Sequence, residues 1–159
     1  MNAEDSLPIG QHDVEIQANR RAWQSKAQLR AVYRGFHELI ASRLDRSVPG
    51  LVVELGSGMG SIKEVIPDCV TTDLFPNPWL DRQENAYRLS FAAGSVSNLI
   101  LFDVWHHLRY PGTALAERLA AASPVSSRKR ASYASSAGAQ DASLAIAVAR
   151  AASSAVGWR

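Results

Sequence analysis

The stretch Leu51-Val52-Val53-Glu54-Leu55-Gly56-Ser57-Gly58-Met59-Gly60 decides the fold. Its first five residues are apolar apart from Glu54, the pattern of a short strand covered on both faces and therefore of a parallel strand. The run then breaks into glycines at alternate positions. Gly56, Gly58 and Gly60 let the backbone take positive φ and come close to a ligand that any Cβ would hold off. The turn that follows such a strand is where an open α/β sheet receives its ligand.

Working outward, Leu29, Val32, Tyr33, Phe36, Leu39, Ile40 and Leu44 recur at steps of three and four. This spacing predicts an amphipathic helix from Trp23 to Leu44, which Ser47-Val48-Pro49-Gly50 ends. Residues 1–20 carry no period and read as a flexible arm. On the other side, Ser61 to Ile66 suits a short helix stopped by Pro67, and Cys69 to Thr72 reads as a second strand ending at Asp73. Strand, helix and strand make a βαβ unit. Pro76 and Pro78 make the next segment a loop, and Asp81-Arg82-Gln83-Glu84 is polar enough to give only a weak third strand. Ser97 to Asp103 is another apolar run closed by an acid, and Pro111 opens a helix running to about Ala122. The alternation of elements implies a parallel α/β sheet.

The character of the chain changes after about Glu117, where alanine and serine dominate and large apolar side chains nearly vanish. Residues 21–122 therefore read as the ligand-binding domain and 123–159 as an Ala/Ser-rich tail. Asp141 is placed to cap an alanine-rich helix over 141–156 that has little to bury, and no further strand is read there.

A chain of 159 residues is one domain with room for a real core. No run is long and apolar enough to span a membrane, and the polar start lacks the plan of a signal peptide, so the expected compartment is the cytoplasm. The net charge of +2 is too small to argue for nucleic acid, and Arg128-Lys129-Arg130 reads as a solvated turn. With Cys69 as the single cysteine, neither an internal disulfide nor a thiolate zinc cage can form within one chain.

Residues just after each strand should converge on a ligand, and here these are Gly56 to Gly60, Asp73 and Asp103. Asp73 falls about 20 residues after Glu54, where a carboxylate accepts hydrogen bonds from ribose hydroxyls. The glycines read G-x-G-x-G, with Ser61 where a dinucleotide fingerprint has its third glycine or alanine. Glu54 directly before them repels a pyrophosphate but suits a sulfonium and an amino group. Asp103 either caps the short helix after it or touches substrate. His106 and His107 offer an imidazole base, although adjacent histidines on a helix are poorly arranged to chelate a metal.

Taken together, Val53-Glu54-Leu55-Gly56-Ser57-Gly58-Met59-Gly60, Thr72-Asp73, Leu89-Ser90-Phe91-Ala92-Ala93-Gly94-Ser95 and Phe102-Asp103-Val104-Trp105-His106-His107-Leu108 resemble a class I S-adenosylmethionine-dependent methyltransferase. The resemblance runs from about Tyr33 to Glu117. It implies a Rossmann-like sheet, S-adenosyl-L-methionine as cofactor, and Gly56, Ser57, Gly58 and Gly60 around the methionine and ribose. Asp73 would lie on the ribose hydroxyls, Glu54 near the methionine part and Asn85 near the adenine amino group. Asp103 and His106 are the candidate catalytic residues. Ser90 and Ala93 depart from the proline and aspartate usual in that segment. The family's later strands are not legible beyond Ala122, so the chain resembles a methyltransferase interrupted partway, as reading a GC-rich coding sequence out of frame would give.

Losing the neighbour of an internal strand would expose an apolar edge at Leu99 to Phe102, which a second copy of the chain or the tail helix would have to cover. The expected function is methyl transfer to an unidentified, small-molecule or other acceptor. A non-catalytic remnant acting only as a binding module is the first alternative. A nicotinamide-dependent oxidoreductase is the second.

Overall fold

A computed structural model gives the fold for residues 9–110 and 146–150. Two helices, α1 (Ile9–Ser25) and α2 (Ala27–Ala41), precede five strands: β1 (Leu51–Leu55), β2 (Cys69–Asp73), β3 (Arg82–Gln83), β4 (Val96–Phe102) and β5 (Ile146–Arg150). Single turns of 3₁₀ helix follow β1 at Ser61–Glu64 and β4 at Trp105–His107. The strands form one sheet in the order β3-β2-β1-β4-β5. The first four run parallel, and β5 is antiparallel to β4. The protein is thus an α/β fold on a largely parallel sheet.

Burial follows from the two-sided covering of the inner strands. Every residue of β4 is buried, as are Val52 to Leu55 of β1. On one face Val52, Cys69, Ile100 and Phe102 pack with Ile40 of α2 and with Ile62 and Ile66. On the other face Val53, Leu55, Leu99 and Leu101 pack with Phe91, and the covering comes from loop residues such as Leu89, Trp105 and Leu108. Asn98 fastens the loop after α2 to the sheet. Its Nδ2 donates to Asp45 O (3.0 Å) and its Oδ1 accepts from Asp45 N–H (2.8 Å).

Several expectations change. The arm expected over 1–20 is overturned for residues 9–20, which belong to α1. Among its described side chains the inner stripe is His12, Ile16, Arg20 and Trp23, of which only Ile16 is both aliphatic and buried, so hydrophobic periodicity could not reveal it. The single helix expected from Trp23 to Leu44 is two helices, broken at an extended Lys26. Arg30 explains the break, because its guanidinium donates to Trp23 O and Gln24 O and so satisfies the unpaired carbonyls that end α1. The weak third strand is real but only two residues long. Asp81 donates its N–H to Thr71 O (3.0 Å), while its carboxylate accepts from the N–H and hydroxyl of Thr71 (2.8 and 2.9 Å), so ahead of Arg82 a side chain takes up the donor that a longer strand would have paired.

The helix expected over 141–156 is overturned at 146–150, which is strand β5. It pairs Phe102 with Ile146 through Asn98 with Arg150. The edge expected to lie open at Leu99 to Phe102 is therefore paired by the chain's own β5, leaving no bare β4 edge there for a second copy to cover. A row of unpaired peptide groups is a stronger demand than the few tenths of a kcal/mol per residue by which alanine favours helix. The helix expected from Pro111 to Ala122 lies outside the described residues. Among the described residues, no helix is long and apolar enough to cross a membrane.

Candidate functional site

The strand order reverses between β1 and β4, and their carboxyl ends face the same way. A crevice at this switch point is where sheets of this kind bind ligands. Gly56, with φ +72°, sits against the residue that follows β4's acid: a Cβ there would come within 2.4 Å of Val104 Cγ2. Gly58 and Gly60 also have positive φ, so the whole turn is left-handed at alternate residues. At Gly60 an added Cβ would lie 2.9 Å from Trp79 O, where the loop after β2 crosses the turn.

Ser57 stitches this turn to β2. Its N–H donates to Thr72 O (2.9 Å), and its hydroxyl accepts from Thr72 N–H (3.0 Å) while donating to Glu54 O (3.1 Å). The hydroxyl is therefore engaged within the loop. Asp73, at the end of β2, reaches across to the glycines: Oδ2 accepts from Gly58 N–H (3.0 Å) and Oδ1 from Phe75 N–H (3.3 Å). Asn77 braces the turn from the far side by donating to Gly58 O (2.9 Å). The sequence did not single out Asn77, although a polar residue between two prolines was a signal that the loop folds back.

Glu54 lies between Thr71 and Ile100 across the sheet, on the face that α2 covers. It is only 3% exposed. Burial pushes its carboxyl up to about 7, with the Ser57 side chain opposing and the Asp73 charge adding to the rise. Near neutral pH this group changes charge readily, and a cation beside it would favour the carboxylate.

Asn85 follows β3, one residue after Glu84, whose N–H donates to Asp73 O (2.9 Å). Its Oδ1 accepts from Tyr87 N–H (2.9 Å) in a tight turn. Glu84 is a structural residue that the sequence reading missed. It is buried, accepts from Ser90 N–H (2.9 Å), and pairs with Arg82 (2.8 Å), whose guanidinium lies 4.4 Å from the Phe91 ring centroid. This network fixes the segment that carries Ser90 and Phe91.

The structure brings Asp103 and His106 together, with Oδ1 3.8 Å from Nδ1. Asp103 has φ +54°, alone among the described non-glycine residues in lying there. Such a conformation costs of order 1 kcal/mol or more and clusters at functional sites. It stands beside the Gly56–Val104 contact, and its charge reaches Tyr33 of α2, whose phenol is raised first by burial and then by Asp103. The His106 and His107 rings lie against each other, 3.9 Å between centroids.

Helix α1 roofs this region. Ile16 Cδ1 stands 3.7 Å from where a Gly58 Cβ would be. His12 stacks on Phe75 with ring centroids 4.3 Å apart, and the Arg20 guanidinium lies 4.1 Å from the Trp79 ring centroid. Comparison of the chain with protein-family models, with curated proteins and with solved structures finds no match.

Proposed function

We propose that the chain binds S-adenosyl-L-methionine at the carboxyl ends of β1, β2 and β4 and passes its methyl group to an acceptor, as a Rossmann-like class I methyltransferase. The observation that carries this reading is the Asp73 carboxylate held at the glycine turn by Gly58 N–H. Each of its oxygens retains acceptor capacity beyond the one backbone N–H it already receives, as binding a pair of vicinal hydroxyls requires. The left-handed glycines supply a surface without side chains beside it.

The residues fit the cofactor in chemistry as well as in placement. Glu54 is an acid whose buried carboxyl sits near its midpoint at neutral pH, so a sulfonium or ammonium nearby would hold it ionised. A nicotinamide dinucleotide would instead bring a pyrophosphate toward this same carboxylate. When bound, S-adenosyl-L-methionine supplies an electrophilic methyl group and a thioether leaving group. The chain's part is to bind, align and manage one proton. Asp73 fixes the ribose, Asn85 lies on the adenine side past β3, and the glycines set the depth. His106 takes the acceptor's proton with Asp103 orienting and stabilising the imidazolium. Alignment of nucleophile, methyl and sulfur supplies most of the acceleration.

Calorimetric titration with S-adenosylhomocysteine tests the reading, comparing the full chain with Asp73→Ala after circular dichroism shows both to be folded. Removal of a charge-assisted pair of hydrogen bonds should weaken binding about 10- to 100-fold. A folded parent chain that ignores S-adenosylhomocysteine, or that is protected from heat by NADH instead, overturns the proposal.

A further inference from the structure

His12 Nε2 is buried and has no hydrogen-bond partner among the described residues. A buried polar nitrogen left in this state costs about 1–3 kcal/mol, which a hydrogen bond made as a ligand enters beneath α1 would recover. Its place says what that partner is. The two oxygens of Asp73 accept from Gly58 N–H and Phe75 N–H, so these backbone groups flank the carboxylate on either side. One turn of α1 spans the same two residues, with Ile16 against Gly58 and the His12 ring on Phe75. The imidazole thus lies on the ring of Phe75, the residue whose N–H caps the carboxylate that the proposed function assigns to ribose.

We infer that His12 is a further ligand-binding residue, whose Nε2 makes a hydrogen bond to the nucleoside part of the ligand when that part lies on Asp73 beneath α1. The inference rests on the cofactor reading above. It gives α1 a recognition role in addition to closing the site. Ile16 supplies apolar cover over Gly58, and His12 supplies the buried side-chain nitrogen that packing leaves unpaired among the described residues. A nucleoside, with hydroxyl and amino groups able to donate or accept, matches an imidazole nitrogen in either tautomer.

The test uses the full chain with three probes: S-adenosylhomocysteine, adenosine and methionine. His12→Phe keeps a ring to stack on Phe75 and deletes Nε2. It should weaken S-adenosylhomocysteine and adenosine by the same factor, about 3- to 10-fold, and leave any methionine binding unchanged. The ligand-free variant should melt higher than its parent, because an unsatisfied buried nitrogen has gone. A side chain with a merely structural role would not move affinity and stability in opposite directions. His12→Gln, whose terminal amide extends about as far as Nε2, should recover part of the affinity. Affinity for both nucleoside probes undiminished in His12→Phe overturns this inference alone. A parent chain that binds neither overturns it together with the cofactor reading.

Discussion

At the scale of single residues, Gly35 and Gly56 make a matched contrast. Gly35 lies inside α2, and a Cβ there meets nothing within 4 Å. Gly35→Ala should stabilise the protein by about 0.5–1 kcal/mol, because alanine restricts the unfolded chain and suits a helix. Gly56 combines φ +72° with a Cβ position 2.4 Å from Val104 Cγ2 and 2.7 Å from Val104 Cβ. Both the backbone and the packing oppose a side chain. Gly56→Ala should cost about 2 kcal/mol or more, since left-handed strain and overpacking add. Urea unfolding of the two variants beside the parent checks both signs. If Gly56→Ala proves neutral, the loops after β1 and β4 are not pressed together as described, and the shape of the candidate site changes with them.

At the scale of elements, α1 and β4 are held very differently. Every residue of β4 is buried, and Asn98 to Leu101 have ladder partners on both sides. Among its described side chains, helix α1 has one buried aliphatic residue, Ile16, worth about 2 kcal/mol, plus the Arg20–Trp79 contact and a bond from Trp23 Nε1 to Glu64 (3.1 Å). Local opening of α1 should therefore need far less free energy than global unfolding. Hydrogen exchange should show α1 amides about 100-fold or more less protected than those of β4. Ile16→Ala should widen the gap without moving β4, and equal protection in both elements would refute the loose roof.

This difference also explains what could be read from the sequence. β1, β2 and β4 were legible because two-sided burial forces apolar runs, and the glycine turn with Asp73 because its chemistry is local. Helix α1 was not, since His12, Arg20 and Trp23 pack through ring faces and side-chain stems, which hydropathy does not register. β5 was hidden in alanine-rich text. The β-branched Ile146 and Val148 at alternate positions were a signal, but only the distant β4 edge makes it decisive. Within the site, His12 and Asn77 escaped notice because their roles depend on which loops meet.

At the scale of the whole molecule, two buried titratable groups on the α2 side oppose each other. Burial raises Glu54 from an ordinary 4.5 to about 7. His37, packed between Tyr33 and Phe102, is lowered by burial from 6.5 to about 4, with Glu64 pulling the other way. Between pH 4.5 and 7 the folded chain keeps a proton on Glu54 that the unfolded chain has lost, so this group makes stability fall as pH rises. Between pH 4 and 6.5 the unfolded chain carries a proton on His37 that the folded chain excludes, so this group makes stability rise with pH. Each slope approaches about 1.4 kcal/mol per pH unit, and the two nearly cancel from pH 4.5 to 6.5. Glu54→Gln should leave the histidine slope uncovered, so that its stability relative to the parent climbs by about 2–3 kcal/mol across that window. His37→Phe, which preserves a ring among Tyr33 and Phe102, should fall by a similar amount, and the double variant should again track the parent. Urea unfolding at several pH values reads these as differences from the parent, which removes every group the chains share. Curves for Glu54→Gln and the parent that stay parallel from pH 4.5 to 6.5 would mean that Glu54 is ionised in the folded state throughout. A counter-charge would then have to lie beside it, and the acid before the glycines would be committed before any ligand cation arrives.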